Sequence, residues 1–216
     1  MENSYIFERT DHTLLSTKAT NEEILKLCSE AAKYNTASVC IPPSYIKFAR
    51  NNFPALCLCT VIGFPNGYNT TAVKVFETAE AVKDGADEID MVINLTMVKN
   101  KEWDNILNEI NEIKNACKGK LLKVIIETCD LTEEEKIKMC EIVSASNADY
   151  IKTSTGFSKS GATAEDIILM RKYCRTDLKI KAAGGISNLD DAQNFIDNGA
   201  DRLGTSRVVK EVKSKE

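Results

Sequence analysis

The sequence predicts a closed (β/α)8 barrel, in which eight parallel strands alternate with eight helices. Apolar stretches of strand length alternate with amphipathic helical stretches along nearly the whole chain. The 216 residues, divided among eight units, leave about 27 residues for each, which is close to the minimum for a strand, a helix and two turns. No linker or shift in composition divides the chain, so we expect a single catalytic domain over residues 1–216.

Seven strands stand out as short apolar stretches, and a brief eighth at 8–11 completes the set. The seven are predicted at 38–41, 56–62, 88–93, 121–126, 150–153, 178–183 and 202–204. Helix starts are marked by capping boxes at Thr20 and Thr132, and by predicted N-caps at Thr163 and Ser187.

A weak internal repeat aligns three of the predicted strands. Residues 85–90, 147–152 and 199–204 match without gaps, and each has a helix end, then Ala-Asp, then a strand. Asp90, Lys152 and Gly204 therefore occupy equivalent points along their strands. The Ala-Asp pair itself is explained as a common turn between helix and strand, but it does not explain charged residues inside apolar strands.

Asp90, Lys152 and Lys181 are charged residues within three such strands. The carboxyl ends of barrel strands carry the chemistry, so we expect these side chains to converge there. A lysine amine becomes nucleophilic when desolvation and a second ammonium lower its pKa. Two lysines with one carboxylate therefore indicate Schiff-base chemistry, with Asp90 moving protons.

Two glycine-containing turns predict a phosphate site. Gly184 and Gly185 follow the seventh strand, and 204–207 follow the eighth, each before a predicted helix. Backbone N–H groups at such positions bind phosphate, and the loops after strands seven and eight commonly do so in these barrels.

Composition excludes several other classes of protein. The net charge of −4 disfavours nucleic-acid and membrane-surface binding, and no apolar run is long enough to cross a bilayer. The N-terminal residues lack a signal-peptide pattern, and the eight cysteines include no C-x-x-C, so we expect a reducing, cytoplasmic setting. The single histidine, His12, disfavours a His-rich zinc site and a Ser-His-Asp triad.

The motifs resemble the signature segments of the deoxyribose-phosphate aldolase family. The resemblance is strongest at Ile151-Lys-Thr-Ser-Thr-Gly-Phe157, and it extends in the right order from about residue 5 to 208. The other matching segments are Asp87-Glu-Ile-Asp-Met-Val-Ile-Asn94, Ile180-Lys-Ala-Ala-Gly-Gly-Ile186, Arg202-Leu-Gly-Thr-Ser206, Asp11-His-Thr-Leu-Leu15 and Ser38-Val-Cys-Ile-Pro42.

The resemblance implies a class I aldolase that needs no metal or other cofactor. Such an enzyme reversibly cleaves 2-deoxy-D-ribose 5-phosphate to D-glyceraldehyde 3-phosphate and acetaldehyde, in deoxyribonucleotide catabolism. It implies that Lys152 forms the Schiff base, Lys181 perturbs its protonation and Asp90 relays protons, with an ordered water. It also implies a homodimer or homotetramer. Positions matching the substrate and phosphate surroundings are Thr155, Gly184, Gly185 and Ser206, and those lining the pocket are Asp11, Thr13 and Cys40.

Two departures from the family pattern concern the phosphate. Some members have a lysine where this chain has Phe157, and Arg207 replaces the second residue of a serine pair. We expect Lys159 or Arg207 to supply the counter-charge. Cys40 has plain core packing as its alternative role.

Other functions remain open at the level of sequence. A phosphosugar isomerase would use Asp90 or Glu127 as its base, with the lysines as electrostatic clamps. A metal-dependent aldolase is disfavoured because one histidine cannot build the usual ligand set, and a non-catalytic barrel would leave the three strand charges unexplained.

Overall fold

The computed structural model describes residues 4–214 and contains a closed eight-stranded barrel. Each strand is parallel to its neighbours in sequence, and the last strand pairs with the first. The strands are β1 (Thr10–Thr13), β2 (Ser38–Ile41), β3 (Leu58–Ile62), β4 (Glu88–Val92), β5 (Leu121–Ile125), β6 (Tyr150–Lys152), β7 (Lys179–Ala183) and β8 (Arg202–Thr205). The predicted (β/α)8 fold is therefore confirmed.

Helices surround the barrel and connect successive strands. They are α1 (Ser4–Phe7), α2 (Asn21–Tyr34), α3 (Ile46–Asn52), α4 (Thr71–Lys83), α5 (Leu95–Lys99), α6 (Trp103–Ala116), α7 (Glu133–Ala145), α8 (Ala164–Tyr173), α9 (Leu189–Asp197) and α10 (Val208–Lys213). Within residues 4–214, no helix is both long enough and apolar enough to cross a membrane.

The predicted starts of helices were most accurate where a side chain caps the helix. Both capping boxes are present, at Thr20 and Thr132, and Thr163 caps α8. The predicted cap at Ser187 is wrong by one residue, because Asn188 accepts the hydrogen bond from the Asp191 amide at 2.7 Å. The first strand begins at Thr10 rather than at residue 8, since residues 4–7 form α1, which was not predicted. The outermost residues of the predicted domain, 1–3 and 215–216, lie outside the described residues.

The main apolar core lies between the barrel and its helices. Strand residues such as Ile89, Val124 and Ile151 are fully buried there, and each contributes about 1.5–3 kcal/mol by leaving water. Inside the barrel the apolar cluster is small, consisting of Cys40, Cys59 and Val61 with Leu15 and Phe64 packed against it. Most of the remaining interior is charged, which creates the site described below.

The aspartates of the internal repeat close the turns at the amino end of the barrel. Asp87, Asp149 and Asp201 each accept a backbone N–H from the start of the preceding strand, at 3.2, 2.7 and 2.7 Å. Each also pairs with a cation from the helical segments behind it: Arg50 with Asp87, Lys114 with Asp149 and Arg171 with Asp201. The Ala-Asp repeat is therefore a structural clamp, which confirms the turn interpretation.

Glycine precedes the clamp where the cation is an arginine. Arg50 donates to the carbonyl of Gly85, and Arg171 to that of Gly199. A Cβ at either glycine would lie within 2.8–3.0 Å of the arginine side chain, and both glycines have positive φ. The repeat at 147–152 has Asn147 at this position, and its cation is Lys114. Glycine is therefore found where the partner cation is an arginine and is not a fixed feature of the repeat.

Candidate active site

Asp90 lies at the centre of the charged interior and contacts three lysines. Its Oδ2 accepts from Lys152 at 2.7 Å and from Lys181 at 2.6 Å, and its Oδ1 accepts from Lys123 at 2.9 Å. Asp90 stands on β4, Lys123 on β5, Lys152 on β6 and Lys181 on β7, so four consecutive strands supply the cluster. The structure thus brings together the three charged residues singled out from the sequence.

Further charged groups continue this cluster towards the amino ends of the strands. Asp11 pairs with Lys181 and with Arg202, the latter at 2.5 Å, and it also accepts from Ser38 at 2.7 Å. Glu88 contacts Lys123 at 2.5 Å and Arg202 at 3.2 Å. Since every one of these carboxylates has cationic partners, their desolvation is offset by ion pairing.

The protonation states follow from this pairing. Burial alone would raise the pKa of Asp90, but its three lysine neighbours outweigh burial and hold the pKa well below the usual value. The pKa of Asp11 is also below its usual value, because Lys181, Lys123 and Arg202 lower it against the effect of burial. Burial opposes the charge of Lys181, yet Asp11 and Asp90 raise its pKa above the ordinary value. Lys181 therefore stays protonated, and the neighbouring Asp90 stays ionised.

Lys152 is the last residue of β6, and its side chain borders a cavity of about 710 Å³ at the carboxyl end of the barrel. The lysines behind it, Lys123 and Lys181, are fully buried and do not line that cavity. Predicted site residues that line the same cavity are Thr13, Thr155, Gly184, Gly185, Ser206 and Arg207. A small molecule in the cavity can therefore reach the amine of Lys152.

The Gly184-Gly185 turn forms one wall of the cavity. Both glycines have positive φ, 74° and 76°, a conformation that favours glycine. Gly161 packs directly on this turn, because a Cβ at Gly161 would lie only 2.3 Å from the carbonyl carbon of Gly184. The close approach of these two backbones fixes where the amides of the turn can meet a ligand.

The two candidates for the phosphate counter-charge lie in different places. Arg207 is exposed and lines the cavity, with its guanidinium 3.4 Å from the hydroxyl of Ser187. Lys159 pairs with Asp130 at 3.0 Å and does not line the cavity. The structure therefore favours Arg207 over Lys159 for this role.

Thr155 and Glu127 form a pair beside the cavity. The Thr155 hydroxyl donates to Glu127 Oε2, and the Thr155 amide lies 3.2 Å from Oε1. Burial raises the pKa of Glu127, although Thr155 hydrogen bonds oppose the shift. Glu127 does not line the cavity, so its carboxylate positions Thr155 and is not directed at a ligand.

Cys40 lies in the apolar interior cluster with Cys59, one strand away at the paired register position. Its thiol does not line the cavity, and it packs with Cys59 and Val61 while facing the charged interior. The Cys59 thiol lies 3.2 Å from Asp90 Oδ1 and 3.4 Å from the ammonium of Lys123.

Two groups of potential metal ligands share Cys59 in the described part of the chain. They are Cys40, Cys59 and Asp90, and Asp11, Cys59 and Glu88. In both groups the carboxylates already bind ammonium or guanidinium groups, so positive charge occupies the place that a cation would take. These residues fit a metal ion poorly.

Sequence reasoning missed Lys123, Glu88 and Arg202. Lys123 carries the same signal as Asp90, a charge inside an apolar strand, and Glu88 shares the face of Asp90 under the two-residue period of a strand. Gly161 had no local signal, because its role depends on contact with a distant turn.

Gly204 leaves room for Lys181, since a Cβ there would lie 3.2 Å from Lys181 Cε.

Comparisons with known proteins show the family to which the chain is related. Residues 6–205 match the model of the DeoC/LacD family aldolases. The chain is 58% identical to deoxyribose-phosphate aldolases of Streptococcus pyogenes serotype M4 and Streptococcus agalactiae serotype Ia, over 99% of this chain and 96% of each relative.

Solved structures show the same relationship. One described as "QR15, an Aldolase" superposes with a TM-score of 0.93 at 38% identity, covering 97% of this chain and 96% of the other. A deoxyribose phosphate aldolase from Aeropyrum pernix, described as a unique tetrameric structure, has a TM-score of 0.89 at 29% identity. It covers 99% of this chain and 93% of the other.

Proposed function

The chain belongs to the DeoC/LacD family of aldolases, and we propose that it reversibly cleaves 2-deoxy-D-ribose 5-phosphate through a Schiff base on Lys152. The products are D-glyceraldehyde 3-phosphate and acetaldehyde. One observation carries the assignment of the nucleophile. Among residues 4–214, four buried or half-buried cations surround Asp11, Glu88 and Asp90, and Lys152 is the one of these that lines the cavity.

The first half of the reaction requires a neutral amine and a proton carrier. The Lys152 amine attacks the aldehyde carbon, and the resulting carbinolamine loses water to give an iminium ion. Asp90 Oδ2 lies 2.7 Å from the Lys152 nitrogen, so a proton that the amine gives up can pass through this hydrogen bond. An ordered water would carry protons between Asp90 and the substrate.

The second half breaks the carbon–carbon bond. Loss of the proton from the C3 hydroxyl lets the C2–C3 bond break, and its electron pair moves into the iminium to form an enamine. Glyceraldehyde 3-phosphate leaves first, and protonation and hydrolysis of the enamine then release acetaldehyde. The fixed ammonium of Lys181 beside Lys152 favours the neutral amine at the start of each cycle.

The phosphate would occupy the wall formed by the two turns after β7 and β8. Gly184, Gly185 and Ser206 offer backbone and hydroxyl donors there, and Arg207 adds a positive charge on the same side of the cavity. These groups hold the substrate so that its aldehyde end faces Lys152.

The isomerase alternative has less support. It requires a base that faces a ligand directly, but neither Asp90 nor Glu127 lines the cavity. Membership of an aldolase family also favours carbon–carbon bond cleavage.

Several wider properties are part of the same proposal. We place the reaction in the catabolism of deoxyribose phosphates and deoxyribonucleotides in the cytoplasm, with no metal or other cofactor, and with the whole chain as one catalytic domain. We also propose a homodimer or homotetramer, which the tetrameric relative from Aeropyrum pernix supports. Light scattering coupled to size-exclusion chromatography measures the assembly directly.

Borohydride trapping tests the proposed chemistry. Acetaldehyde and sodium borohydride should fix a two-carbon adduct on Lys152, located by peptide mass spectrometry. Lys152→Met should abolish the adduct, whereas Lys172→Met, which removes an exposed lysine, should leave it unchanged. An adduct on another lysine, or none at all, overturns the assignment. Turnover that EDTA abolishes would overturn the metal-free mechanism.

A further inference from the structure

Seven ionisable side chains form one connected set of ion pairs inside the barrel, which we call the interior ion network. Within residues 4–214 it contains three carboxylates and four cations, so it carries one surplus positive charge when every member is ionised. The members are Asp11, Glu88, Asp90, Lys123, Lys152, Lys181 and Arg202.

The surplus charge is least compensated at Lys152. Lys123 contacts Glu88, Asp90 and, at 3.8 Å, Asp11. Lys181 contacts Asp11 and Asp90, and Arg202 contacts Asp11 and Glu88. Lys152 contacts only Asp90, and it shares the Oδ2 of that carboxylate with Lys181. If one member loses its proton, the network becomes neutral, and Lys152 is the cation with the fewest anionic partners to retain a proton.

We propose that Glu88 and Arg202 set the pH at which Lys152 becomes a free amine, and that they act in opposite directions. This inference rests on the proposed role of Lys152 as the Schiff-base nucleophile. Glu88 and Arg202 are the first residues of β4 and β8, whereas Lys152 is the last residue of β6, so they act from the amino end of the barrel. They are positioning residues, because neither lines the cavity.

Two chains of ion pairs connect Glu88 and Arg202 to Lys152 and transmit their electrostatic effect. Glu88 reaches Lys152 through Lys123 and Asp90, with steps of 2.5, 2.9 and 2.7 Å between charged atoms. Arg202 reaches it through Asp11 and Lys181 to the same oxygen of Asp90. A unit charge about 10 Å away in a medium of effective dielectric constant about 20 shifts a titration by on the order of one pH unit.

Other titratable groups face this network from the remaining elements. They are the same in every variant considered below, so they do not affect the direction of a shift. They are Cys40 on β2, Cys59 on β3, Glu127 after β5, Tyr150 on β6 and Lys179 on β7.

The test is the pH dependence of adduct formation on Lys152, measured as the rate of borohydride trapping with acetaldehyde. Glu88→Gln increases the surplus positive charge, so the midpoint should move to lower pH by about one unit. Arg202→Met removes the surplus, so the midpoint should move to higher pH by a similar amount. Glu88→Asp and Arg202→Lys keep the charges and should restore midpoints close to that of the unsubstituted protein.

A double variant separates electrostatics from structural damage. Glu88→Gln with Arg202→Met removes one charge of each sign, so the midpoint should return to that of the unsubstituted protein. Replacing both partners of a buried ion pair is also better tolerated than replacing one, so this variant keeps the test available if a single variant does not fold. Glu141→Gln, which removes a carboxylate that is 54% exposed, is the matched control and should leave the pH midpoint of adduct formation unchanged.

The outcomes distinguish this inference from the proposed function. If the single variants slow trapping at every pH without moving the midpoint, or move it in the same direction, the inference is overturned. A trapped adduct on Lys152 with unmoved midpoints leaves the Schiff-base assignment intact. Absence of any adduct on Lys152 in the unsubstituted protein overturns both.

Discussion

Lys152 and Lys181 donate to the same oxygen, Oδ2 of Asp90, at 2.7 and 2.6 Å. The two lysines are register partners on the neighbouring strands β6 and β7, so the barrel itself places their ammonium groups side by side. Without the shared carboxylate their repulsion would separate them. One carboxylate therefore keeps a permanent cation next to the amine that borders the cavity.

Asp90→Asn should damage both stability and activity. The change leaves Lys123, Lys152 and Lys181 around a neutral amide, and breaking a buried ion pair by removing one partner costs about 3–5 kcal/mol. Loss of the proton carrier should also lower kcat by about 10²–10⁴. Urea unfolding and steady-state kinetics measure the two effects. Asp177→Asn, at a carboxylate that is 78% exposed, is the control, and equal behaviour of the two variants would contradict the role of Asp90.

Arg207→Ala should raise KM for the phosphorylated substrate. The side chain is exposed, so solvent screening limits the expected increase to about 3–10-fold. Cleavage of unphosphorylated deoxyribose should not change, because that substrate has no charge for Arg207 to bind. Lys159→Ala is the matched comparison and should leave KM unaltered, since Lys159 pairs with Asp130. If neither variant changes KM, the phosphate counter-charge comes from elsewhere.

Gly161→Ala should displace the Gly184-Gly185 turn. A Cβ at Gly161 would lie 2.3 Å from a backbone carbon of Gly184, and neither backbone can yield without moving the cavity wall. We expect KM for the phosphorylated substrate to rise about tenfold and stability to fall by about 1–3 kcal/mol. Gly119→Ala is the control for KM, because its Cβ would meet nothing within 4 Å, and the strain at its φ of 86° lowers stability without moving the cavity wall. Unchanged KM in Gly161→Ala would show that the turn is not positioned by this contact.

His12 provides a pH probe, because it is the one histidine in the chain. Burial lowers its pKa below the ordinary value of 6.5, even though the Glu30 carboxylate 3.1 Å away opposes the shift. The folded state therefore binds this proton less readily than the unfolded state. Stability from this group is complete above pH 6.5 and decreases as the pH falls below it towards the folded pKa.

Proton NMR of the single imidazole follows this titration. We expect a midpoint below 6.5, and we expect His12→Gln to remove the corresponding decrease in unfolding free energy. A midpoint at or above that value would contradict the effect of burial. The same spectra on Glu30→Gln should show a still lower midpoint, because the opposing carboxylate is gone.

Periodicity and turn chemistry were sufficient to predict the barrel and the strands that carry Asp90, Lys152 and Lys181. Strand β1 was misplaced because its four residues include two buried polar side chains. Asp11 binds Ser38 and Arg202 on other strands, and His12 binds Glu30 on α2. Lys123 lies inside an apolar strand as Asp90 does, but its partners Glu88 and Asp90 are more than 30 residues away, so its place in the cluster depends on the pairing of β4 with β5. Tertiary pairing, which no local pattern encodes, decides which charges act together.

The three aspartate clamps and the cavity lie at opposite ends of the barrel, so the two ends differ in which substitutions they tolerate. Each clamp joins a turn at the amino end to the preceding strand and a helix, and none lines the cavity at the carboxyl end. Strand register there is secured by contacts that do not involve Lys152, Gly184 or Arg207. A protein engineer could therefore reshape the mouth of the barrel for a different aldehyde while keeping the scaffold that holds the lysines in place.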